Sequence, residues 1–185
     1  MPNRPDFTPQ REAFVAAMRD VAASVAVVTT DGPAGRHGAT VTAFASVSAD
    51  PPTVLVCLNA QSRIAALVRE NGRFCLNVLD RSGHLVADRF AGRHDGIVPD
   101  RFDGLDWHAL EDGAPRLAGA TLFDCIVDHD VQAGSHAVVF GLVQDIVRDG
   151  LDPLTYRDGA YHQVVPHLDF AKDHPATTAT GGAWQ

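Results

Sequence analysis

Small and hydroxylated side chains dominate one stretch of the sequence, from Gly38 to Pro52, which leads directly into an apolar run from Thr53 to Asn59. Side chains of this size leave the backbone of a strand accessible, so that its N–H and C=O groups can bind the polar rim of a flat ring system. An ordinary Thr-rich strand has the same composition. The stretch is therefore a candidate binding strip for a planar ligand, with an ordinary strand as the alternative.

Several common chemistries lack their sequence motifs. The chain contains no GxGxxG, GxxxxGK[ST] or GxSxG, so a Rossmann dinucleotide fold, a P-loop and a nucleophile elbow are not supported. Its nine His residues form no HxH, HExxH or HxxxH pair, and we expect no functional metal. The three cysteines, Cys57, Cys75 and Cys125, lie far apart in apolar stretches. This placement predicts buried thiols rather than a disulfide or zinc framework, and leaves a catalytic Cys as the alternative.

Three segments have helical signals. The first begins at Thr8 and Pro9, and its apolar residues recur on one face that we expect to pack against another surface: Phe14, Met18, Val21 and Ala22. Ser62 predicts the N-cap of a second helix, which ends at Gly72. Ser82 predicts the N-cap of a third, short helix that Gly92 stops.

The remaining segments read mostly as strands. Two hairpins are predicted, one over 24–44 and one over 154–164, and single strands are predicted over 53–58, 73–79, 121–131 and 136–148. The stretch 93–115 is irregular, and a loop of this length is typical of a functional segment. Nearly consecutive strands with few inserted helices predict an antiparallel β-barrel with peripheral helices.

Length and composition bound the domain and its partners. At 185 residues, 45% hydrophobic and 21% charged, the chain is typical of one globular domain, which we place at residues 1–165, with a flexible tail over 166–185. The formal charge of −8 disfavours nucleic acid, because it repels phosphate backbones. The sequence has no apolar run of membrane-spanning length and no apolar signal-peptide core near Met1, so we expect no membrane partner and a cytoplasmic location.

The order of short segments along the chain resembles the short-chain flavin reductases, which serve two-component flavin-dependent monooxygenases. The resemblance covers roughly residues 14–164. Its marks are AVVTT from Ala26, the Gly38–Pro52 segment, LVCLN from Leu55 with Ser62–Arg63, FCLNVL from Phe74, DRFAG from Asp88, GSH from Gly134, Phe140–Gly141 and PLTY from Pro153. It implies a mainly β protein, the FMN-binding split barrel, which is an antiparallel β-barrel of Greek-key type with peripheral α-helices.

The resemblance also implies which residues bind the cofactor, FMN or FAD, in three groups. Residues beside the isoalloxazine, where they hydrogen-bond its pyrimidine edge, would be Thr40, Val41, Thr42 and Ala43. Residues around the flavin phosphate, at a helix N-terminus whose N–H groups and dipole favour an anion, would be Leu58, Asn59, Ser62, Arg63 and Ile64. Further positions near the cofactor would be Asn77 and Phe90.

His136 is the catalytic residue that the resemblance implies, on the nicotinamide side of the flavin. The family pattern Gly-Asp-His corresponds here to a Gly-Ser-His that ends at His136. Its imidazole can hydrogen-bond the carboxamide of NADH or NADPH, or the flavin, and a structural His at a strand start is the alternative. Three departures from the family pattern leave flavin affinity and the choice between FMN and FAD open: Ser135 replaces the acidic residue, Ile64 replaces a hydroxyl, and Ala43 stands where a second Ser is usual.

The implied function is an NAD(P)H:flavin oxidoreductase that reduces FMN or FAD by hydride transfer and supplies reduced flavin to a separate monooxygenase. The flavin accepts the hydride and the protein orients the reactants. The resemblance also implies a homodimer with flavin near the subunit boundary. Two alternatives share the barrel: a flavin carrier without rapid hydride transfer, and an oxidase that retains its flavin.

Overall fold

The computed structural model describes residues 8–109, 113–149 and 152–166, and strands predominate in this part of the chain. Its helices are α1 (Thr8–Arg19), α2 (Arg63–Asn71) and α3 (His84–Phe90). Its strands are β1 (Ala23–Ser24), β2 (Ala26–Thr30), β3 (His37–Val41), β4 (Phe44–Ala49), β5 (Pro52–Asn59), β6 (Arg73–Leu79), β7 (Trp107–His108), β8 (Arg116–Leu117), β9 (Ala120–Ala133), β10 (His136–Arg148), β11 (Leu154–Arg157) and β12 (Ala160–Gln163). The flexible tail predicted over 166–185 lies, apart from Pro166, outside the described residues.

Seven strands form one antiparallel sheet in the order β3-β2-β6-β9-β10-β5-β4. The two edge strands, β3 and β4, are consecutive in the chain and only Thr42 and Ala43 join them. A two-residue link between opposite edges requires the sheet to curl until those edges nearly meet. The predicted antiparallel barrel is confirmed, and Thr42 and Ala43 lie where it is split.

The barrel strands bury apolar residues on both faces, because side chains of a strand alternate between them. In β2, Ala26 and Val28 join a core to which strands all around the sheet contribute, and this core is the barrel interior. Val25 and Val27 join a second core on the outer face, where α3 and the segment after it pack. The strands therefore supply most of the barrel interior, and α3 with the irregular segment after it is attached to the outside.

The helix α2 closes one end of the barrel interior, as its sequence predicts. Ser62 caps it with Oγ, which accepts a hydrogen bond from the Ala65 amide at 3.4 Å. Gly72 ends it in the left-handed conformation, at φ 69°, and its N–H donates to the Val68 carbonyl. Ile64, Ala65 and Val68 are buried in the interior core. These contacts fix the N-terminus of α2 beside the end of β5.

The helix α3 lies on the outer face of β3, but its predicted cap is wrong. Gly83, not Ser82, precedes the helix, and it provides no side-chain cap. The Ser82 hydroxyl donates instead to Asp80 Oδ1 at 2.6 Å. The Ser82 amide also donates to Asp80 Oδ1, at 2.9 Å, so Ser82 is held in the turn before the helix. Phe90, in the last turn of α3, packs on Gly38 of β3, where an added Cβ would lie 2.5 Å from the ring.

The helix α1 forms where the sequence predicts it, and within the described chain its apolar face stays exposed. Phe14, Met18 and Val21 are 65%, 49% and 50% exposed. Spacing alone could not reveal this, because it shows that a helix has an apolar face and not what covers it.

The two β-rich segments in the second half of the chain follow the sequence expectation. β9 and β10 pair antiparallel along their length and turn at Gly134 and Ser135. β11 and β12 form the last hairpin, whose two turn residues, Asp158 and Gly159, have φ values of 46° and 81°. Positive φ at both positions is the geometry that twisted two-residue hairpins favour.

Candidate functional site

The open edge of β3 forms the first wall of the site. The Gly38 carbonyl points away from β2 and accepts a hydrogen bond from Arg101 Nη1 at 3.0 Å. Backbone direction in a strand repeats every two residues, so the N–H and C=O of Thr40 point to the same open edge. The Thr40 hydroxyl is held by α3, donating to the Ala87 carbonyl at 2.6 Å. This edge therefore offers a flat ligand backbone groups rather than the Thr40 side chain.

The split between β3 and β4 continues this wall. Val41 is half-buried, whereas Thr42 and Ala43 are exposed. The Ala43 carbonyl accepts from the Cys57 N–H at 2.9 Å, which fixes the link against β5. The predicted ring-binding residues thus form one continuous strip that crosses from β3 to β5.

The N-terminus of α2 forms the anionic end of the site. The Asn59 carbonyl accepts from the Ser62 hydroxyl at 2.6 Å, and Asn59 Oδ1 accepts from the Gln61 amide at 2.9 Å. The amides of Arg63 and Ile64 belong to the first turn, where no earlier carbonyl of the helix can accept from them. The Arg63 side chain is exposed and makes no ion pair or side-chain hydrogen bond with another described residue. An anion here would meet free amides, a favourable helix dipole and an unpaired guanidinium.

His136 stands at the start of β10, directly opposite Asn59 of β5. It is exposed, and its Nδ1 lies 3.0 Å from the Ser135 hydroxyl. The Ala60 amide donates to the Ser135 carbonyl at 3.0 Å, which ties the β9–β10 turn to the approach to α2. The structure therefore brings His136, Asn59 and the α2 N-terminus into one cluster.

Four predicted cofactor residues have side chains that the fold encloses: Leu58, Ile64, Asn77 and Phe90 are at most 3% exposed. Leu58 and Ile64 belong to the interior core, and Phe90 belongs to the outer core with its ring 5.0 Å from that of Phe102. These side chains have no surface to offer a ligand. At most the backbones of Leu58 and Ile64 reach the site.

The buried Asn77 side chain hydrogen-bonds to three strands. Its Nδ2 donates to the Val27 carbonyl at 3.0 Å, to Thr29 Oγ1 at 3.1 Å and to the Cys75 carbonyl at 3.2 Å. Its Oδ1 accepts from the Leu117 amide at 2.8 Å. Every polar group of the amide is used within the protein, so Asn77 acts as a structural link between β2, β6 and β8.

A polar cleft beside α2 contains residues that the sequence reasoning missed. We call it the arginine cleft. It has a volume of about 560 Å³, and its charged and titratable lining residues are Arg36, His37, Arg63, Asp95, Asp100 and Arg101. Burial, together with the neighbouring Arg101 and Arg63, lowers the pKa of His37 to about 4. The irregular segment 93–115 was the one sequence feature that pointed to this cleft. Its length and composition predicted a functional loop but did not indicate which strand the loop would contact.

The assembled groups can bind an elongated, flat and anionic molecule. Its ring would lie along the strip Thr40–Ala43, its anionic end at Ser62 and Arg63, and His136 would stand beside it. Hydrogen bonds to ring edges come from backbone groups, and the negative charge is met by amides and a guanidinium. A flavin mononucleotide has these features, and the residues present fit it.

Comparison with known proteins identifies the family. A profile described as flavin reductase like domain matches residues 18–165. The chain belongs to this family. The FMN reductase (NADH) RutF 2 of Methylorubrum extorquens strain PA1 is 41% identical over 165 residues, which cover 87% of this chain and 93% of that protein.

Two solved structures have the same fold. Nitrilotriacetate monooxygenase component B from Mycobacterium thermoresistibile superposes with a TM-score of 0.78 at 30% identity, covering 92% of this chain and 93% of the other. The Streptomyces globisporus NADH:FAD oxidoreductase SgcE6, in complex with NAD and FAD fragments, superposes with a TM-score of 0.77 at 29% identity, covering 87% of this chain and 96% of the other. The mainly β split-barrel expectation is thereby confirmed.

The described helices are all too short or too polar to cross a membrane.

Proposed function

We propose that this protein is an NADH-dependent flavin reductase that transfers hydride from NADH to FMN or FAD. The observation that carries the proposal is the nearly full-length similarity to a protein named FMN reductase (NADH), 41% identical over 93% of that protein. The site agrees with this function, because it joins an open strand edge suited to a flat ring with an anion site at a helix N-terminus.

The flavin ring lies along Thr40, Val41, Thr42 and Ala43 in this proposal, and the flavin phosphate lies at Ser62 and Arg63. The exposed backbone of the β3–β4 link supplies hydrogen bonds to the pyrimidine edge, which hold the ring in one orientation. The first amides of α2 and the Arg63 guanidinium hold the phosphate. Binding at both ends leaves one ring face open for the second substrate.

His136 orients the nicotinamide in this proposal. Its Nδ1 lies 3.0 Å from the Ser135 hydroxyl oxygen. Its Nε2 is then the ring nitrogen that can hydrogen-bond the nicotinamide carboxamide or the flavin. The Ser135 hydroxyl can set the ring tautomer where the family pattern has a carboxylate, without adding negative charge.

The chemistry needs orientation more than covalent participation by the protein. The flavin, when bound, accepts the hydride. The strip Thr40–Ala43 and the α2 N-terminus fix one reactant, and His136 restricts the other, so that the encounter of donor and acceptor becomes effectively intramolecular.

Reduced flavin then leaves for a separate oxygenase component. The similar structure from Mycobacterium thermoresistibile is named as one component of a monooxygenase, which supports a division of labour of this kind. The exposure of Thr42, Ala43 and His136 agrees with a flavin that enters and leaves in each cycle.

We also propose that the protein forms a homodimer through α1. The helix exposes Phe14, Val15 and Met18, and a groove beside them also contains Thr42 and Tyr156. Burial of an apolar helix face against a second copy would remove this surface from water and would bring the subunit boundary to the flavin strip. Sedimentation equilibrium of the wild-type protein and of a Phe14→Glu, Met18→Glu double variant tests this proposal. We expect the wild-type protein to be a dimer and the variant to be a monomer. A monomeric wild-type protein would overturn the proposed dimer.

The function is tested by following NADH oxidation with and without added FMN, FAD or riboflavin. We expect saturable oxidation that depends on free flavin. Flavin binding without turnover would overturn the proposal in favour of a carrier. Turnover by a tightly retained flavin, with no dependence on added flavin, would indicate an oxidase instead.

A further inference from the structure

We propose that the arginine cleft is a binding site for the adenylate (AMP) group of a dinucleotide substrate, adjacent to the site of the flavin phosphate. This inference rests on the proposed function. Two substrates of the reaction class carry an adenylate group, FAD and NADH, and the experiment below separates them.

The charge of the cleft favours a phosphate ester. Three guanidinium groups, of Arg36, Arg63 and Arg101, face two carboxylates, of Asp95 and Asp100. Each carboxylate is already paired: Asp100 with Arg36 at 2.7 Å and Asp95 with Arg101 at 2.6 Å. Arg63, which pairs with no other described residue, therefore leaves the cleft with excess positive charge, although the chain as a whole carries −8.

Arg101 shapes the cleft rather than binding its ligand. Its Nε and Nη2 pair with Asp95, and its Nη1 donates to the carbonyls of Gly38 and Phe90 at 3.0 and 2.9 Å. These bonds tie the segment after α3 to the start of β3 and form one wall. The groups left for a ligand are on Arg36, His37 and Arg63.

The size and one wall of the cleft favour a nucleotide over a bare phosphate. Its volume of about 560 Å³ lies within the range of small-molecule sites, about 300–1,000 Å³. The Arg36 guanidinium lies 4.8 Å from the ring centre of Phe102 and 4.6 Å from that of Trp107. A guanidinium held against aromatic rings is itself a flat surface on which a purine can stack.

His37 completes the site as a proton-linked phosphate ligand. The groups that act on it are Arg101 and Arg63, which disfavour its charged form, and Asp95, which favours it; burial adds to the effect of the arginines. The neutral ring accepts or donates one hydrogen bond. A phosphate anion at Arg63 would offset the two arginines and favour protonation of His37, so adenylate binding should be accompanied by proton uptake in mildly acidic solution.

The test compares Arg36→Gln and His37→Gln with the wild type and with a control, Arg81→Gln. Arg81 forms an exposed ion pair with Asp152, away from the cleft. Its replacement by Gln removes the same charge as Arg36→Gln without changing the cleft. Titration calorimetry with AMP as the probe should show equal binding to the wild type and to the control. The affinity should be about tenfold weaker in each cleft variant, because each loses one hydrogen bond to the charged phosphate. At about pH 5, calorimetry in two buffers should show proton uptake that His37→Gln abolishes.

Kinetics then identify the source of the adenylate. A rise in KM for FAD but not for FMN in the cleft variants assigns it to FAD. A rise in KM for NADH but not for its truncated analogue, reduced nicotinamide mononucleotide, assigns it to NADH. Equal loss with FMN and FAD, with NADH and the analogue unaffected, would overturn the proposal, because the cleft would then serve only the flavin's own phosphate. Unchanged AMP binding in both variants would also overturn it.

The two proposals fail separately. If the wild-type protein turned over no flavin, the calorimetry with AMP would still decide the role of the cleft. If Arg36→Gln disturbed folding, as a lowered melting temperature would show, His37→Gln decides alone.

Discussion

Replacement of Asn77 by Ala should destabilise the protein strongly and leave flavin kinetics nearly unchanged. The mutation removes the side-chain donor to Val27, Thr29 and Cys75 and leaves the buried Leu117 amide without its acceptor. A buried unsatisfied donor costs about 1–3 kcal/mol, and each lost hydrogen bond about 1 kcal/mol. The amide nitrogen has two N–H groups and so loses about two full hydrogen bonds, and together with the orphaned Leu117 amide we expect the free energy of unfolding to fall by about 3–5 kcal/mol.

The exposed Asn59 provides a matched control for this experiment. Its Oδ1 accepts one bond from the Gln61 amide, and it lies at the proposed phosphate end of the site. Asn59→Ala should lower the free energy of unfolding by about 1 kcal/mol or less and raise the KM for flavin several-fold. The two asparagines should thus show opposite patterns, stability for one and kinetics for the other.

Thermal unfolding and steady-state kinetics measure both patterns. For a domain of this length, each kcal/mol lost from the free energy of unfolding lowers the melting temperature by about 2–4 °C. Asn77→Ala should therefore lower the melting temperature by about 6–20 °C. An Asn77→Ala variant that melted within about 2 °C of the wild type and had a raised KM for flavin would contradict this structural role, since Asn77 would then act on the cofactor as the family resemblance implied.

Three further predictions address other parts of the structure. Gly38→Ala should lower the free energy of unfolding by about 1–3 kcal/mol in denaturant titration, because the added Cβ would lie 2.5 Å from the Phe90 ring; an unchanged midpoint would contradict this packing. Below the ordinary His pKa of 6.5 the unfolded chain binds a proton that the folded chain, with the pKa of His37 lowered to about 4, does not. Stability should therefore fall as pH decreases from about 6.5 to about 4, and His37→Gln should reduce that fall; an identical pH dependence would contradict the assignment. His136→Ala should slow flavin reduction at an unchanged melting temperature, and unaltered steady-state rates would remove His136 from the mechanism.

The local features of the fold were predictable from sequence because their causes are local. Ser62 and Gly72 bracket α2 as predicted, since a cap requires only a side chain and the next few amides. The last hairpin, with Asp158 and Gly159 at its turn, was predictable for the same reason. The cap at Ser82 failed because its amide and hydroxyl both donate to Asp80 Oδ1, which holds Ser82 in the turn before the helix.

The features that depend on distant contacts were not predictable in this way. Asn77 looks like a polar site residue in a strand, and only the pairing of β2, β6 and β8 around it shows that its amide is fully used. The exposed face of α1 could not be foreseen from its periodicity. The arginine cleft joins His37, Arg63 and Arg101 from three separate segments, and nothing in the spacing of these residues indicated that they would meet.

The central claim is that free flavin is a substrate of this protein. The most direct measurement is anaerobic reduction of FMN by NADH, followed through the flavin absorbance, with FMN in large molar excess over protein. We expect many equivalents of FMN per protein to be reduced, at a rate proportional to protein concentration and greatly slowed in the His136→Ala variant. Reduction that stops at about one equivalent, or fails to occur, would contradict it.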